Sequence, residues 1–243
     1  MSDKLKLTKD SGVPLADGSS YRTLVGRLLY LANTQPDISF SIQQLNQFVQ
    51  HPTDVHLKAA HRVLRYLKAA PGRGLFFPVS STMKLNVFSD FDWAGCIDTR
   101  RSITGFCGFL DQALITWRSK KQQTVSTSSS EAEYRALATT TCELQWLSYL
   151  LRDFGFPLTS PASLYCDSQS ARHIAANPTF HERTKYLDID CHVVREKLQN
   201  GLIHLLPIKS QDQLADIFTK PLAPLSFSTL LSQLRMIDIH SPA

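Results

Sequence analysis

The sequence has no long apolar run. Nowhere does it reach the roughly 18 consecutive apolar residues that a bilayer-spanning helix needs, and its opening, MSDKLKLTKDSG, is polar throughout. Neither a membrane anchor nor a targeting signal is expected; an intracellular protein, cytoplasmic or nuclear, is. Paired cysteines are missing as well. The five cysteines (Cys96, Cys107, Cys142, Cys166, Cys191) form no CxxC, and an odd, scattered set in 243 residues argues for reduced thiols. His173, His181, Cys191 and His192 lie near one another but at no structural-zinc spacing. Internal repeats and low-complexity tracts are absent too. What is left, with 43% hydrophobic and 19% charged residues, is a globular chain with room for one large domain and a substantial appendage.

A strong excess of one charge is also lacking. The net charge is +5, which ordinary solvated faces account for, yet the basic residues gather. His61, Arg62, Arg65 and Lys68 share one helical stretch, Arg100 adjoins Arg101, and Arg118 stands with Lys120 and Lys121. Such groups suit a phosphate backbone as partner.

Hydrophobic periodicity divides the chain. Residues 1–80 read as helices: one opened by Ser19 and Ser20, one by Pro36 and Asp37, and one by Pro52-Thr53-Asp54 that runs to Pro71-Gly72. The polar link Ser80-Ser81-Thr82 marks a domain boundary, and alternation follows it. Leu85 onward, Ile103 to Leu110 and Ala113 to Trp117 form an expected antiparallel meander, the last two strands joined by a tight turn at Asp111-Gln112. Serines 128 to 130 with early acids then open the longest helix, which stops at Gly155 and Pro157. A strand at Ser163 to Cys166, a helix at Gln169 to Ala176, a helix at Asp190 to Leu198, a strand at Leu202 to Ile208 and a helix at Gln211 to Lys220 complete the order β-β-β-α-β-α-α-β-α. A mixed sheet with the fourth strand parallel to the first is expected.

Four acids sit at element ends in this order. Asp90 ends the first strand, Glu133 lies in the first turn of the long helix, Asp167 tips the fourth strand, and Asp216 lies in the last helix. Singly, such acids are usually caps or surface residues. Converging, they would repel one another, and burial would raise their pKa values. Divalent cations relieve that repulsion, and hard oxygen ligands favour magnesium or manganese over zinc. Two such ions about 4 Å apart clamp the attacking and leaving oxygens of an in-line phosphodiester displacement.

The acid order Asp, Glu, Asp, Asp on this arrangement resembles the ribonuclease H domain. The segments FSDFDWAGCIDTRRSITGF, ITWRSKKQQTVSTSSSEAEYRALA, LYCDSQSARHIAANPTFHERTKYLDIDCHVVREKLQNG and QLADIFTKPL look like a copia-type LTR retrotransposon Pol polyprotein. Upstream, YRTLVGRLLYLANTQPDISFSIQQLNQF and HLKAAHRVLRYLKAAPGRGLFF are similar to the end of the same element's reverse transcriptase. The resemblance thus implies an α/β, ribonuclease H-like mixed five-stranded sheet with helices on both faces at 81–222. A helical thumb or connection remnant precedes it at 1–80, and a C-terminal tail follows at 223–243.

For activity, the resemblance implies hydrolysis of the RNA strand of an RNA–DNA hybrid with two Mg2+ or Mn2+ ions. Asp90, Glu133, Asp167 and Asp216 are the implied metal ligands, Asp90 bridging both ions. Glu131 is the rival of Glu133, about 200° around the helix from it. Asp92 shares a face with Asp90 if the strand persists, but reads first as a turn acid ahead of Trp93-Ala94-Gly95. Asp188 and Asp190 read as structural or substrate-adjacent. Arg118, Lys120, Lys121, Ser129, Ser130 and Gln169 are candidate hybrid contacts, and the missing reverse-transcriptase portion is a candidate partner. Polymerase activity is not expected, because the YxDD region is absent. The loop Lys209-Ser210-Gln211-Asp212 lacks the histidine that many ribonucleases H carry before the last acid. The competing reading is a decayed fragment that at most binds nucleic acid. A DDE integrase is disfavoured, since its glutamate lies on a late helix.

Overall fold

Residues 7–79, 83–176 and 188–240 are described in the computed structural model. The Ser80-Ser81-Thr82 link, the helix stop at Asn177-Pro178 and His181 lie outside them.

Three helices form the first layer: α1 (Ser19–Leu31), α2 (Ser39–Asn46), entered through a 3₁₀ turn at Pro36–Ile38, and α3 (Asp54–Ala69). Thr53 starts α3 because its hydroxyl accepts the His56 N–H while His56 Nδ1 accepts the Thr53 N–H at 3.1 Å, a reciprocal cap. Apolar residues at helical spacing, among them Tyr21, Val25, Ile42, Leu45 and Ala60, close a small core of their own.

The second layer is a five-stranded sheet. β2 (Leu85–Asp92), β3 (Ile103–Leu110) and β4 (Ala113–Lys121) make the meander, β5 (Ala162–Cys166) adds parallel to β2, and β6 (Ile203–Pro207) adds parallel to β5. The spatial order is β4-β3-β2-β5-β6. The two-residue turn works because Asp111 accepts a φ of 54°, which short polar side chains tolerate better than branched ones.

Helices α4 (Ser129–Asp153), α5 (Gln169–Ala176) and α6 (Asp188–Gln199) lie over one face. Leu85, Val87, Tyr134, Leu137, Leu144, Leu164 and Val194 are buried there together, each large apolar side chain stabilising by about 1.5–3 kcal/mol. On the other face Cys107, Phe109 and Leu114 meet Leu214, Ile217 and Phe218. Helical segments therefore cover both faces of a mixed five-stranded sheet.

Two segments differ from the sequence expectation. Residues 211–220 are not an α-helix but 3₁₀ turns at Ser210–Asp212 and Leu214–Phe218. The buried Gln213 explains this: its amide donates to the Ser89 carbonyl at 3.0 Å while its oxygen accepts the Ala215 N–H at 3.2 Å, tying the segment to β2. Residues 223–243, expected as a tail, carry α7 (Pro224–Gln233) and β7 (Met236–Asp238). β7 pairs with β1 (Arg73–Leu75), and Phe227 meets Tyr66 of α3 edge-on with ring centres 5.9 Å apart. Leu230 of α7 and Leu234 just after it pack with Phe109, Leu114 and Phe218, so this segment joins the helical layer to the sheet.

Candidate functional site

Parallel pairing of β2 with β5 sets the site. Phe88 stands opposite Tyr165, so two residues further on Asp90 and Asp167 come level where the strands end. α4 starts above this point and brings Glu133 down to it. Asp90, Glu133 and Asp167 each present a ligand oxygen, all within 4.8 Å of one another. Asp90 and Glu133 are 2% and 1% exposed and Asp167 is partly exposed, so two buried acids meet a third at the surface end of the group.

Each acid has a neutral donor. Cys166 Sγ donates to Glu133 Oε1 at 3.1 Å, Ser210 Oγ to Asp167 Oδ2 at 2.8 Å, and Thr219 Oγ1 to Asp90 Oδ2. Glu133 Oε2 is buried with no hydrogen-bond partner. A buried carboxylate oxygen without a donor is costly unless something supplies positive charge. Three hard oxygens from two strand ends and a helix start fit a divalent cation.

Asp216 joins from the 3₁₀ segment. It lies outside the three-acid group and is held by Lys220, whose Nζ stands 2.8 Å from Asp216 Oδ1 and 3.5 Å from Asp90 Oδ2. Burial pushes the Asp90 pKa up, the Lys220 ammonium opposes this, and the Asp216 and Asp167 charges add to it. Burial likewise pushes Glu133 up to about 8, against the Cys166 hydrogen bond and with the help of Asp90 and Asp167. The Asp216 pKa is raised by burial in spite of Lys220. For Lys220, burial acts downward, but Asp90 and Asp216 outweigh it and the net shift is upward.

Glu131 has a different position. Ser128 Oγ caps α4 by accepting the Glu131 N–H at 3.1 Å. The Glu131 carboxylate turns back to the Thr127 N–H at 2.7 Å and hydroxyl at 2.8 Å, and pairs with Arg135 at 2.7 Å. It is spent on the helix start and stands outside the acid group. Asp92 is the last residue of β2, paired with Ile103, and also opens the turn whose Gly95 N–H reaches back to its carbonyl at 3.4 Å. It too lies outside the three-acid group.

The basic candidates border one groove but differ in what their charged ends reach. Arg118, Lys120 and Lys121 line a groove of about 550 Å³ with Thr104, Gln122, Arg135 and Thr139. Arg118 packs its guanidinium 5.6 Å from the Phe106 ring centre. The Lys121 ammonium donates to Gln47 Oε1 of the helical layer at 2.8 Å. Asp188 and Asp190 line the groove and not the acid cluster. Ser129 and Ser130 begin α4 and Gln169 begins α5; Ser130 Oγ lies 3.1 Å from Ser170 Oγ, so the two helix starts meet beside the acids.

Sequence reasoning missed Cys166, Ser210, Thr219 and Lys220. The signal for Lys220 was present as an acid and a base four apart in LADIFTK.

No family model matches the chain. Against curated proteins, it is 43% identical over 234 residues to a retrovirus-related Pol polyprotein from transposon RE1 of Arabidopsis thaliana, a match over 96% of this chain and 16% of that protein. It is 42% identical over 239 residues to the corresponding polyprotein from transposon RE2 of the same plant, over 98% of this chain and 16% of that protein. The chain thus spans about a sixth of the length of these relatives. Among solved structures, LC11-RNase H1 isolated from compost superposes with a TM-score of 0.44 at 14% identity, over 62% of this chain and 99% of that one.

Proposed function

The chain belongs to the copia-type retrotransposon Pol polyproteins, and from that premise we propose that it hydrolyses the RNA strand of RNA–DNA hybrids with divalent metal. The observation that carries this reading is the group of Asp90, Glu133 and Asp167, the first two buried, with one Glu133 carboxylate oxygen left without a donor.

Asp90, Glu133 and Asp167 would hold one cation, and Asp90 with Asp216 a second. Bound Mg2+ or Mn2+ supplies activation of water and neutralisation of the charge on the leaving oxygen. The chain's own groups do the positioning. Thr219 fixes the rotamer of Asp90, Cys166 that of Glu133, and Ser210 that of Asp167. Burial keeps water from competing for the Asp90 and Glu133 oxygens, so these ligands are held before substrate arrives. One water is consumed; the RNA phosphodiester breaks at its 3′-oxygen, leaving a 3′-hydroxyl and a 5′-phosphate.

Arg118 and Lys120, on a strand beside the site, would take phosphates of the hybrid, setting register without reading sequence. Ser129, Ser130 and Gln169 stand at the helix starts beside the acids and would meet the strand to be cut. Discrimination of RNA then falls to hydrogen bonds with 2′-hydroxyls. Cleavage of a labelled hybrid by the wild type, Asp90→Asn and Glu133→Gln in Mg2+ or Mn2+ tests the reading. Folded protein that binds hybrid without cutting it would leave the decayed fragment.

A further inference from the structure

Lys220 stands where the fourth acid meets the first. Its Nζ is 2.8 Å from Asp216 Oδ1 and 3.5 Å from Asp90 Oδ2, and its side chain keeps 37% of its surface exposed. The preceding Thr219 is fully buried and bonded to Asp90, so the backbone that carries Lys220 is held against the acids. Among the described residues no ion pair is formed with Glu133, and its Oε2 has no donor. The cluster therefore has two unlike halves: one already neutralised by a side chain, one not.

A magnesium ion needs ligand oxygens at about 2.0–2.1 Å in a full octahedron. An ammonium lodged between Asp90 and Asp216 takes up the space and the charge that an ion bridging the same two carboxylates would use. Both cannot be there at once.

We propose that Lys220 is a built-in counter-ion that makes the two cation positions unequal. The position formed by Asp90, Glu133 and Asp167 fills first, and the position between Asp90 and Asp216 fills only when the Lys220 ammonium swings out. The half-exposed, flexible four-carbon stem permits that swing, and a substrate phosphate would give the displaced ammonium a new partner. Lys220 is in this sense a positioning residue for metal loading. The inference rests on the two-metal reading above and adds an order to it.

Titration calorimetry with Mn2+ alone, on the full chain without nucleic acid, tests it directly. Wild type is expected to bind one ion well and a second weakly. Lys220→Met should bind the second at least tenfold more tightly and, without metal, should melt at a lower temperature, because Asp90 and Asp216 lose their counter-charge. Lys220→Gln should behave like Lys220→Met and Lys220→Arg like wild type, which keeps the test valid if one variant folds poorly. Unchanged second-ion affinity in both neutral variants would overturn the role of Lys220 and leave the metal reading intact. No manganese binding by any of the proteins would overturn both.

Discussion

Asp90 and Gly105 stand directly opposite each other across β2 and β3. A Cβ on Gly105 would lie 2.5 Å from Thr219 Cγ2 and 2.8 Å from Phe218 Cβ, distances that force a shift. The missing side chain is what lets the 3₁₀ segment lie flat on the sheet and deliver Thr219, Lys220 and Asp216 to Asp90. Gly105→Ala should destabilise the fold by about 1–3 kcal/mol through overpacking. It should also lower hybrid cleavage beyond what that loss explains, since the fourth acid moves away. Urea unfolding alongside cleavage at a temperature where the variant is fully folded checks both; cleavage at the wild-type rate would show that the close approach is not needed.

The two glutamates of α4 should separate by function. Glu131→Gln weakens a helix start and an ion pair, and is expected to cost about 1 kcal/mol of stability while leaving cleavage within a fewfold. Glu133→Gln is expected to abolish cleavage with little loss of stability. The reverse pattern, measured on the same pair of variants, would move the ligand to Glu131.

Stability should depend on pH in a direction set by Glu133. Its folded pKa is raised from 4.5 to about 8, so the folded protein holds this proton more tightly than the unfolded chain does. That contribution is complete below about pH 4.5 and is lost as pH rises through about 8. Asp90, also raised, acts in the same direction. In chelator, wild type should lose on the order of a few kcal/mol relative to Glu133→Gln between pH 5 and 8.5. Saturating Mn2+ should remove the loss, because the cation binds the ionised carboxylates. Parallel stability curves for the two proteins in chelator would contradict this.

Arg118→Ala and Lys120→Ala should each weaken hybrid binding and reduce the slope of log affinity against log salt by about one. Lys121→Ala should leave that slope unchanged, because its ammonium is engaged with Gln47 of the helical layer. Fluorescence anisotropy across a salt series distinguishes the three.

Much of this architecture was legible in the sequence because its signals are local. Alternation marked the meander, Asp111-Gln112 its turn, and Ser128 with Glu131 the start of α4. The 3₁₀ segment was not legible: five residues of LADIF carry the same apolar spacing in either helix type, and the deciding bonds run from Gln213 to a carbonyl 124 positions away. The C-terminal segment was missed for a similar reason, since β7 has three residues and is defined by its partner β1. Within the candidate site, Asp90, Glu133 and Asp167, which the fold brings together, stood out in the sequence by type and order. Lys220 carried only the weak signal of standing four residues after Asp216, and a lysine before Pro221 reads as a helix end until the fold brings it to Asp90. Lys121 shows the converse: the three basic residues look alike in sequence and border one groove, but only the fold shows that the Lys121 ammonium is held by Gln47.

The most direct test of the central claim uses a hybrid with each strand labelled separately, in Mn2+ or Mg2+. The RNA strand should be cut to products with 3′-hydroxyl and 5′-phosphate ends and the DNA strand left whole. Asp90→Asn should reduce the rate on the order of 100-fold or more, since its carboxylate would serve both cations. Folded, metal-binding wild-type protein that leaves the RNA intact, or an Asp90→Asn variant that cuts it equally well, would contradict the account.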